Sequence, residues 1–176
     1  MIFNIKCGDI IKEQSDVIVN PANSYLLKGK GISKAIYDAA GEVVVNECGK
    51  IREQDFPDGI PTGKAVFTSA GNLPCKYIIH TVGPFYKVEN PFCEELLYNS
   101  YKNSLKIAVS LECKSISFPS ISTGAFCFPK EEAAKVAFRA INDFNSNELE
   151  INFVFFSEED KKIFENTIKK EFNYGK

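Results

Sequence analysis

Phe118-Pro-Ser-Ile-Ser-Thr-Gly-Ala-Phe126-Cys-Phe-Pro129 decides the architecture of this chain. Ile116 and Phe118 close a run of strand-forming residues, Pro129 suits the first turn of a helix, and Ser122, Thr123 and Gly124 lie between them. A strand that passes through a small-residue loop into a helix is the unit from which α/β sheets are wound. The same loop exposes unpaired backbone N–H groups at the positive end of a helix dipole, which attracts anions by about 0.3–1 kcal/mol per favourable contact. An ordinary strand-to-helix turn has a similar composition, so the stretch alone leaves an anion cradle and a plain turn both open.

Outward from this loop the alternation of strand and helix repeats. Ile2 to Lys6 alternates weakly, Cys7-Gly8-Asp9 interrupts it, and Asp16-Val-Ile-Val-Asn20 reads as a buried strand after a short connection. Asn20 to Gly31 is a long loop rich in amides and glycine, and Ile32, Ala35, Ile36, Ala39 and Ala40 then recur at helical spacing. That helix, with Ser33 or a neighbour as its cap, runs to about Cys48 unless Gly41 ends a first segment. Residues 50 to 64 are dense in turn formers, and strands follow at Ala65 to Ser69 and Lys76 to Val82. Glu94 to Leu111 carries Leu97, Tyr101, Leu105, Ala108 and Val109 at helical spacing. After the strand Ser115 to Phe118, a helix from Pro129 to Phe144 turns Ala133, Ala134, Val136, Ala137, Ala140 and Ile141 inward. Ile151 to Phe156 is a further strand, and Ser157 with Asp160 three residues on opens the last helix.

This order predicts an α/β fold, a three-layer α/β/α sandwich. Its central sheet is mixed and mostly parallel, with the antiparallel pairing expected at the start of the chain. A single domain over residues 1–172 with a frayed tail at 173–176 is the expected organisation.

At 176 residues and 44% hydrophobic content the chain can bury a substantial core, and a formal charge of −2 argues against a general nucleic-acid surface. The six cysteines are widely spaced without a C-x-x-C pair, and one histidine, His80, cannot complete a zinc site of the usual pattern. They read as reduced, buried small hydrophobes, and no metal is expected. An apolar run long enough for a membrane span is absent, and Met1 to Lys6 looks like a strand rather than a signal, so the expectation is a cytoplasmic protein with no membrane partner.

In an open α/β sheet ligands bind beyond the carboxyl ends of the strands. That rule gathers Asn20 to Gly31, Pro119 to Phe126 and the Phe156-Ser157 junction on one rim. Two glycine-containing loops, two asparagines and aromatics at Phe126 and Phe156 suit a nucleotide diphosphate with sugars. Gly29-Lys-Gly31 lacks the third glycine of a dinucleotide fingerprint, and a Walker A loop is absent.

Six segments together, Gly8-Asp9-Ile10, Val19-Asn20-Pro-Ala-Asn23, Ala35-Ile36 through Ala39-Ala40-Gly41, Pro61-Thr-Gly63, Ile79-His80-Thr-Val-Gly-Pro84 and Phe118 to Gly124, make the chain resemble a macro domain of the MacroD type over nearly all of residues 1–172. The resemblance implies ADP-ribose, free or attached to a protein, as partner, no cofactor, and a monomer. It implies Asp9 and Ile10 at the adenine with Phe156 stacked on it, a contact worth about 1–3 kcal/mol by analogy with base stacking. On the same resemblance the first loop contributes Asn20, Ala22, Asn23, Gly29, Gly31 and Ile32. Asn23 would hold the distal ribose, an amide being able to donate to one hydroxyl and accept from another. Ser120, Ser122, Thr123, Gly124 and Ala125 would take the diphosphate, with Phe126 walling off the distal ribose. His80 also has a family counterpart, but it reads as a structural residue at a strand end rather than a base.

The chain departs from that pattern where many hydrolytic relatives show a glycine run followed by Val-Asp. Here the sequence is Lys28-Gly-Lys-Gly-Ile-Ser33, so Ser33 occupies the place of an acid often given a catalytic role. A positioned acid or base is worth about 10²–10⁴ in rate. The candidate catalytic positions are therefore Asn23 and, in place of the acid, Ser33. Hydrolysis of ADP-ribosyl esters by a water held on a substrate phosphate and binding without turnover both remain open. Cys127 replaces a glycine beside the distal ribose, and Lys28 and Lys30 either add to phosphate attraction at the rim or are solvated loop lysines.

Overall fold

The computed structural model describes residues 2–86, 91–146 and 148–172. The expected frayed tail at 173–176 lies outside the described residues. In chain order the elements are β1 (Ile2–Cys7), a 3-10 turn (Ile10–Lys12), β2 (Val17–Pro21), α1 (Gly31–Ala40), α2 (Glu42–Gln54), β3 (Ala65–Ser69) and β4 (Tyr77–Thr81). They continue with α3 (Cys93–Ser110), β5 (Ser115–Phe118), α4 (Lys130–Phe144), β6 (Glu150–Phe155) and α5 (Glu158–Phe172).

The six strands form one sheet in the order β1-β6-β5-β2-β4-β3. Every pairing is parallel except β3 with β4. The antiparallel pair therefore lies at the β3 edge, not at the start of the chain as the sequence suggested. The 3-10 turn carries the chain away from β1, which pairs with β6 and is separated from β2 by β6 and β5. The short Ala70 to Lys76 connection instead folds β4 back on β3, as a hairpin-length link requires.

Successive strand residues face opposite layers. Val17, Val19, Ile116, Phe118 and Phe153 pack with Leu97, Tyr101 and Leu105 of α3, and with α4 and α5. Ile18, Ile78 and Val154 pack with Ile36, Tyr37 and Ala40 of α1 and Val44 and Cys48 of α2. These two clusters make the three-layer α/β/α sandwich. Each fully buried large apolar side chain contributes about 1.5–3 kcal/mol.

Gly41, at φ 87, divides the expected single helix into α1 and α2. A Cβ there would also lie 2.9 Å from the Asn72 side chain. The buried stripe of α1 is Ser33, Ile36, Tyr37 and Ala40, so Ala35 faces solvent. Val109, read as inward, is 48% exposed because it lies off the Leu97-Tyr101-Leu105-Ala108 stripe. Ser157 Oγ accepts from Asp160 N at 3.1 Å, the cap expected for α5. All six cysteines are free, but Cys7 and Cys127 are exposed rather than buried. Among the described residues no helix is long and apolar enough to cross a membrane, and no cluster of possible metal ligands occurs.

The connection leaving β2 runs to α1 on one face of the sheet, and that leaving the neighbouring β5 runs to α4 on the other. Adjacent strands whose connections diverge in this way open a crevice at their carboxyl ends.

Candidate functional site

A cavity of about 440 Å³ fills that crevice, within the usual range for small-molecule sites. One wall is Pro21–Asn23 and Gly29–Ser33 from the loop after β2 and the first turn of α1; the other is Ser120–Ser122 and Gly124–Phe126 from the loop after β5. Gly83, at the end of β4, completes the lining. Most of the expected residues of both loops therefore meet at one cavity. Thr123 does not line it: its hydroxyl donates to Ser120 Oγ at 2.8 Å and braces the loop.

The second loop is held open from within. Phe128 N donates to Ser122 O at 2.9 Å, Cys127 N to Gly124 O at 3.0 Å, and Ile121 N to the Tyr101 hydroxyl at 3.3 Å. Ser122 and Cys127 adopt φ of 66 and 57, left-handed values that cost a non-glycine residue about 1–2 kcal/mol. The Phe126 ring lies 5.5 Å from that of Phe85 at the cavity mouth. Cys127 itself is exposed and its thiol turns to Ala125 O, 3.5 Å away, so it braces the loop rather than filling the cavity.

On the opposite wall the first N–H groups of α1 lack intrahelical partners, as at any helix start. Lys30 occupies the N-cap position and supplies no side-chain bond, so the expected Ser33 cap is not formed. Ser33 is the third residue of α1, 7% exposed, and its hydroxyl has no partner. Ser122, 6% exposed on the other wall, likewise has a buried Oγ without a partner. Buried hydroxyls without partners are uncommon, and these two lie on opposite walls of one cavity.

Asn23 is already engaged. Its side-chain oxygen accepts from Leu27 N at 3.0 Å and Tyr25 N at 3.2 Å, and its amide donates to Leu27 O at 2.8 Å. An amide has two acceptor lone pairs and two N–H donors. The acceptor side is filled by the loop, which leaves one N–H for a ligand and corrects the expectation that Asn23 both donates and accepts.

Asn20 does not reach the cavity. It is fully buried in β2, with its amide nitrogen 3.0 Å from His80 Nδ1, because the strand turns it under the site. His80 lies beside Thr68 Oγ1, 2.9 Å from Nε2, with Cys48 Sγ at 3.8 Å. Burial pushes its pKa down to about 3, so the ring is neutral and sealed from ligand.

Asp9, Ile10 and Phe156 stand together outside the cavity, on the rim formed by β1 and β6. Gly8 N donates to Phe155 O at 2.9 Å, and Cys7 Sγ lies 3.6 Å from Phe156 O, which ties the two strand ends together. Asp9 Oδ1 accepts from Ile11 N at 3.2 Å and caps the 3-10 turn; Ile10 is buried beneath, and the Phe156 ring is 83% exposed.

Lys28 pairs with Asp38, as does Lys34 at 2.5 Å, and the two ammonium groups hold the Asp38 carboxyl below its ordinary range. Lys28 is thereby directed along α1. Gly83, Ile121 and Pro21 are cavity residues that the sequence reading did not single out. Gly83 carried a usable signal, a Gly-Pro pair directly after a strand: a Cβ there would lie 2.3 Å from Ser122 Oγ.

The sequence model of the family described as Macro domain matches residues 19–137. A macro domain-containing protein of Caldanaerobacter subterraneus subsp. tengcongensis is 45% identical over 159 residues, covering 89% of this chain and 90% of the relative. A protein of Escherichia fergusonii named O-acetyl-ADP-ribose deacetylase is 43% identical over 160 residues, covering 89% of each. The solved structure of an Oceanobacillus iheyensis macrodomain with ADP superposes with a TM-score of 0.91 at 40% identity, covering 96% of this chain and 90% of that one. With a family match over most of its length and relatives above 40% identity, this chain belongs to the macro domain family.

Proposed function

We propose that this protein binds ADP-ribose across the cavity and the β1–β6 rim, and hydrolyses ADP-ribosyl esters, O-acetyl-ADP-ribose or acidic side chains carrying the group. The observation that carries the reading is a pair of buried serines with unpartnered hydroxyls, Ser33 and Ser122, one on each wall of a cavity of about 440 Å³. In this reading the diphosphate lies between the start of α1 and the Ser122–Phe126 loop, the distal ribose takes the remaining Asn23 N–H, and Phe156 stacks on adenine beside Asp9. A micromolar dissociation constant, about −8 kcal/mol, fits such a clamp.

Among the described residues the cavity wall carries no carboxylate, imidazole or thiol. Hydrolysis would therefore use a water held by the substrate's own phosphate. The water adds to the acyl carbon, the bond from that carbon to the ribose oxygen breaks, and the ribose oxygen takes up a proton as the carboxylate leaves. Asn23 orients the ribose for this step. The similarity to a named deacetylase favours this reading. The neutral Ser33 in place of an acid favours a second one, a reader that binds ADP-ribose without turnover.

Calorimetry with ADP-ribose tests binding, and incubation with O-acetyl-ADP-ribose and with a protein modified on glutamate tests turnover. Release that Asn23→Ala abolishes supports the hydrolase; saturable binding with no release from either substrate supports the reader. No heat at high micromolar ADP-ribose refutes both.

A further inference from the structure

We propose that Lys30 reads the charge of the bound ligand and that Ser33 keeps its ammonium free to do so; the inference rests on the ADP-ribose reading above. Among the described residues Lys30 is the one titratable side chain on the cavity wall. Lys28 and Lys34, on either side of it in sequence, both pair with Asp38, whereas Lys30 has no carboxylate partner among the described residues. Residues 28–38 thus carry three lysines against one aspartate in a chain whose net charge is −2. The cavity mouth is locally cationic.

The backbone leaves Lys30 room to act. It stands between Gly29 and Gly31, and Gly31 has a φ of 57 with no heavy atom within 4 Å of the point a Cβ would occupy. Lys30 is also the N-cap of α1, so its charge adds to the positive end of that helix. The same cavity wall carries the buried, unpartnered hydroxyl of Ser33, with that of Ser122 on the wall opposite. Each serine is more than nine-tenths buried, so the ammonium approaches a bound ligand from the solvent side.

Lys30 is the N-cap and Ser33 the third residue of α1, so both belong to the start of the same helix. A carboxylate at position 33 would pair with the Lys30 ammonium and cancel it; a hydroxyl does not. With Ser33 rather than an acid at that position, the wall of this chain keeps a free positive charge. Affinity at this site becomes dependent on the ligand's negative charge and on salt.

The test is calorimetric titration of the full chain with ADP-ribose, and with uncharged adenosine, at about 50 mM and 500 mM salt. Lys30→Ala should weaken ADP-ribose by about three- to tenfold at low salt and by under about twofold at high salt. Adenosine affinity should not change, and Lys30→Arg should restore the wild-type values. Lys106→Ala, an exposed lysine on α3, removes the same net charge away from the cavity and should leave binding within about twofold. Ser33→Asp should flatten the salt dependence as Lys30→Ala does, while Ser33→Asn keeps it. Equal effects of Lys30→Ala and Lys106→Ala, or a loss that is independent of salt and not restored by arginine, would overturn the proposal while leaving ADP-ribose binding intact. Absence of wild-type binding would instead overturn the underlying reading and this inference together.

Discussion

Replacing Gly83 by alanine puts a methyl carbon 2.3 Å from Ser122 Oγ and 2.6 Å from Ile121 Cγ2. The serine hydroxyl can rotate away, but Ile121 is fully buried and β-branched, so its methyl has no alternative position without moving the backbone. Relief of that overlap requires the loop after β5 to retreat by about 1 Å from the end of β4. Overpacking of this size costs about 1–3 kcal/mol. For a chain of this length each kcal/mol lowers the melting temperature by about 2–4 °C, which gives a fall of about 2–12 °C. The retreating segment carries Ser122 and the rest of one cavity wall, so ADP-ribose affinity should drop by about tenfold in the same variant. Gly124→Ala is the matched control, because its Cβ meets nothing within 4 Å. It should leave the melting temperature unchanged within about 2 °C. Differential scanning calorimetry without ligand, followed by titration with ADP-ribose, reads both quantities. A Gly83→Ala protein that melts within 1 °C of wild type and binds equally well would refute the contact between the two loops.

Asn23→Asp should retain the bonds from Tyr25 N and Leu27 N but lose the donation to Leu27 O and to the ribose. About a tenfold loss of ADP-ribose affinity by calorimetry is expected, and unchanged affinity would show that the remaining N–H is not used. Phe156→Ala removes a ring that is 83% exposed, so stability should change by less than about 0.5 kcal/mol while adenine-nucleotide binding loses about 1–3 kcal/mol. His80 has a folded pKa of about 3 against an ordinary value near 6.5, so the unfolded chain binds the additional proton. Its contribution to stability is complete above about pH 6.5 and declines by about 1.4 kcal/mol per unit as pH falls towards 3. Urea denaturation at pH 7 and pH 5 should show that decline, and His80→Gln should reduce it; an identical slope in the variant would refute the assignment.

The layers were legible because their signals are periodic and local. Ala133, Ala134, Ala137, Ala140 and Ile141 declare the buried stripe of α4 by spacing alone, and all are buried. The pairing of strands was not legible in the same way, since β1 finds β6 across almost the whole chain. Nothing near Ile2 to Lys6 encodes that partner, and the short connection to Val17 suggested the wrong one. Conformational punctuation was legible as a set of alternatives: Gly41 permitted a break, and its φ of 87 realises it.

At the site, the residue types announced the chemistry but not which atoms are already committed. The sequence places an amide at position 23 and says nothing of Leu27, whose backbone occupies the oxygen of that amide and one of its protons. It places two lysines at 28 and 30 with equal standing, and only the fold of α1 brings Asp38 to the first and not to the second. It offers Ser33 as a cap, and the fold instead buries that hydroxyl without a partner. Hydrogen-bond capacity is finite, so a loop residue's role depends on what remains after the fold has taken its share. By that measure Ser33, Ser122, Lys30 and one N–H of Asn23 keep unspent capacity around a single cavity, while the unpartnered Asn20 Oδ1 lies buried in β2 outside it.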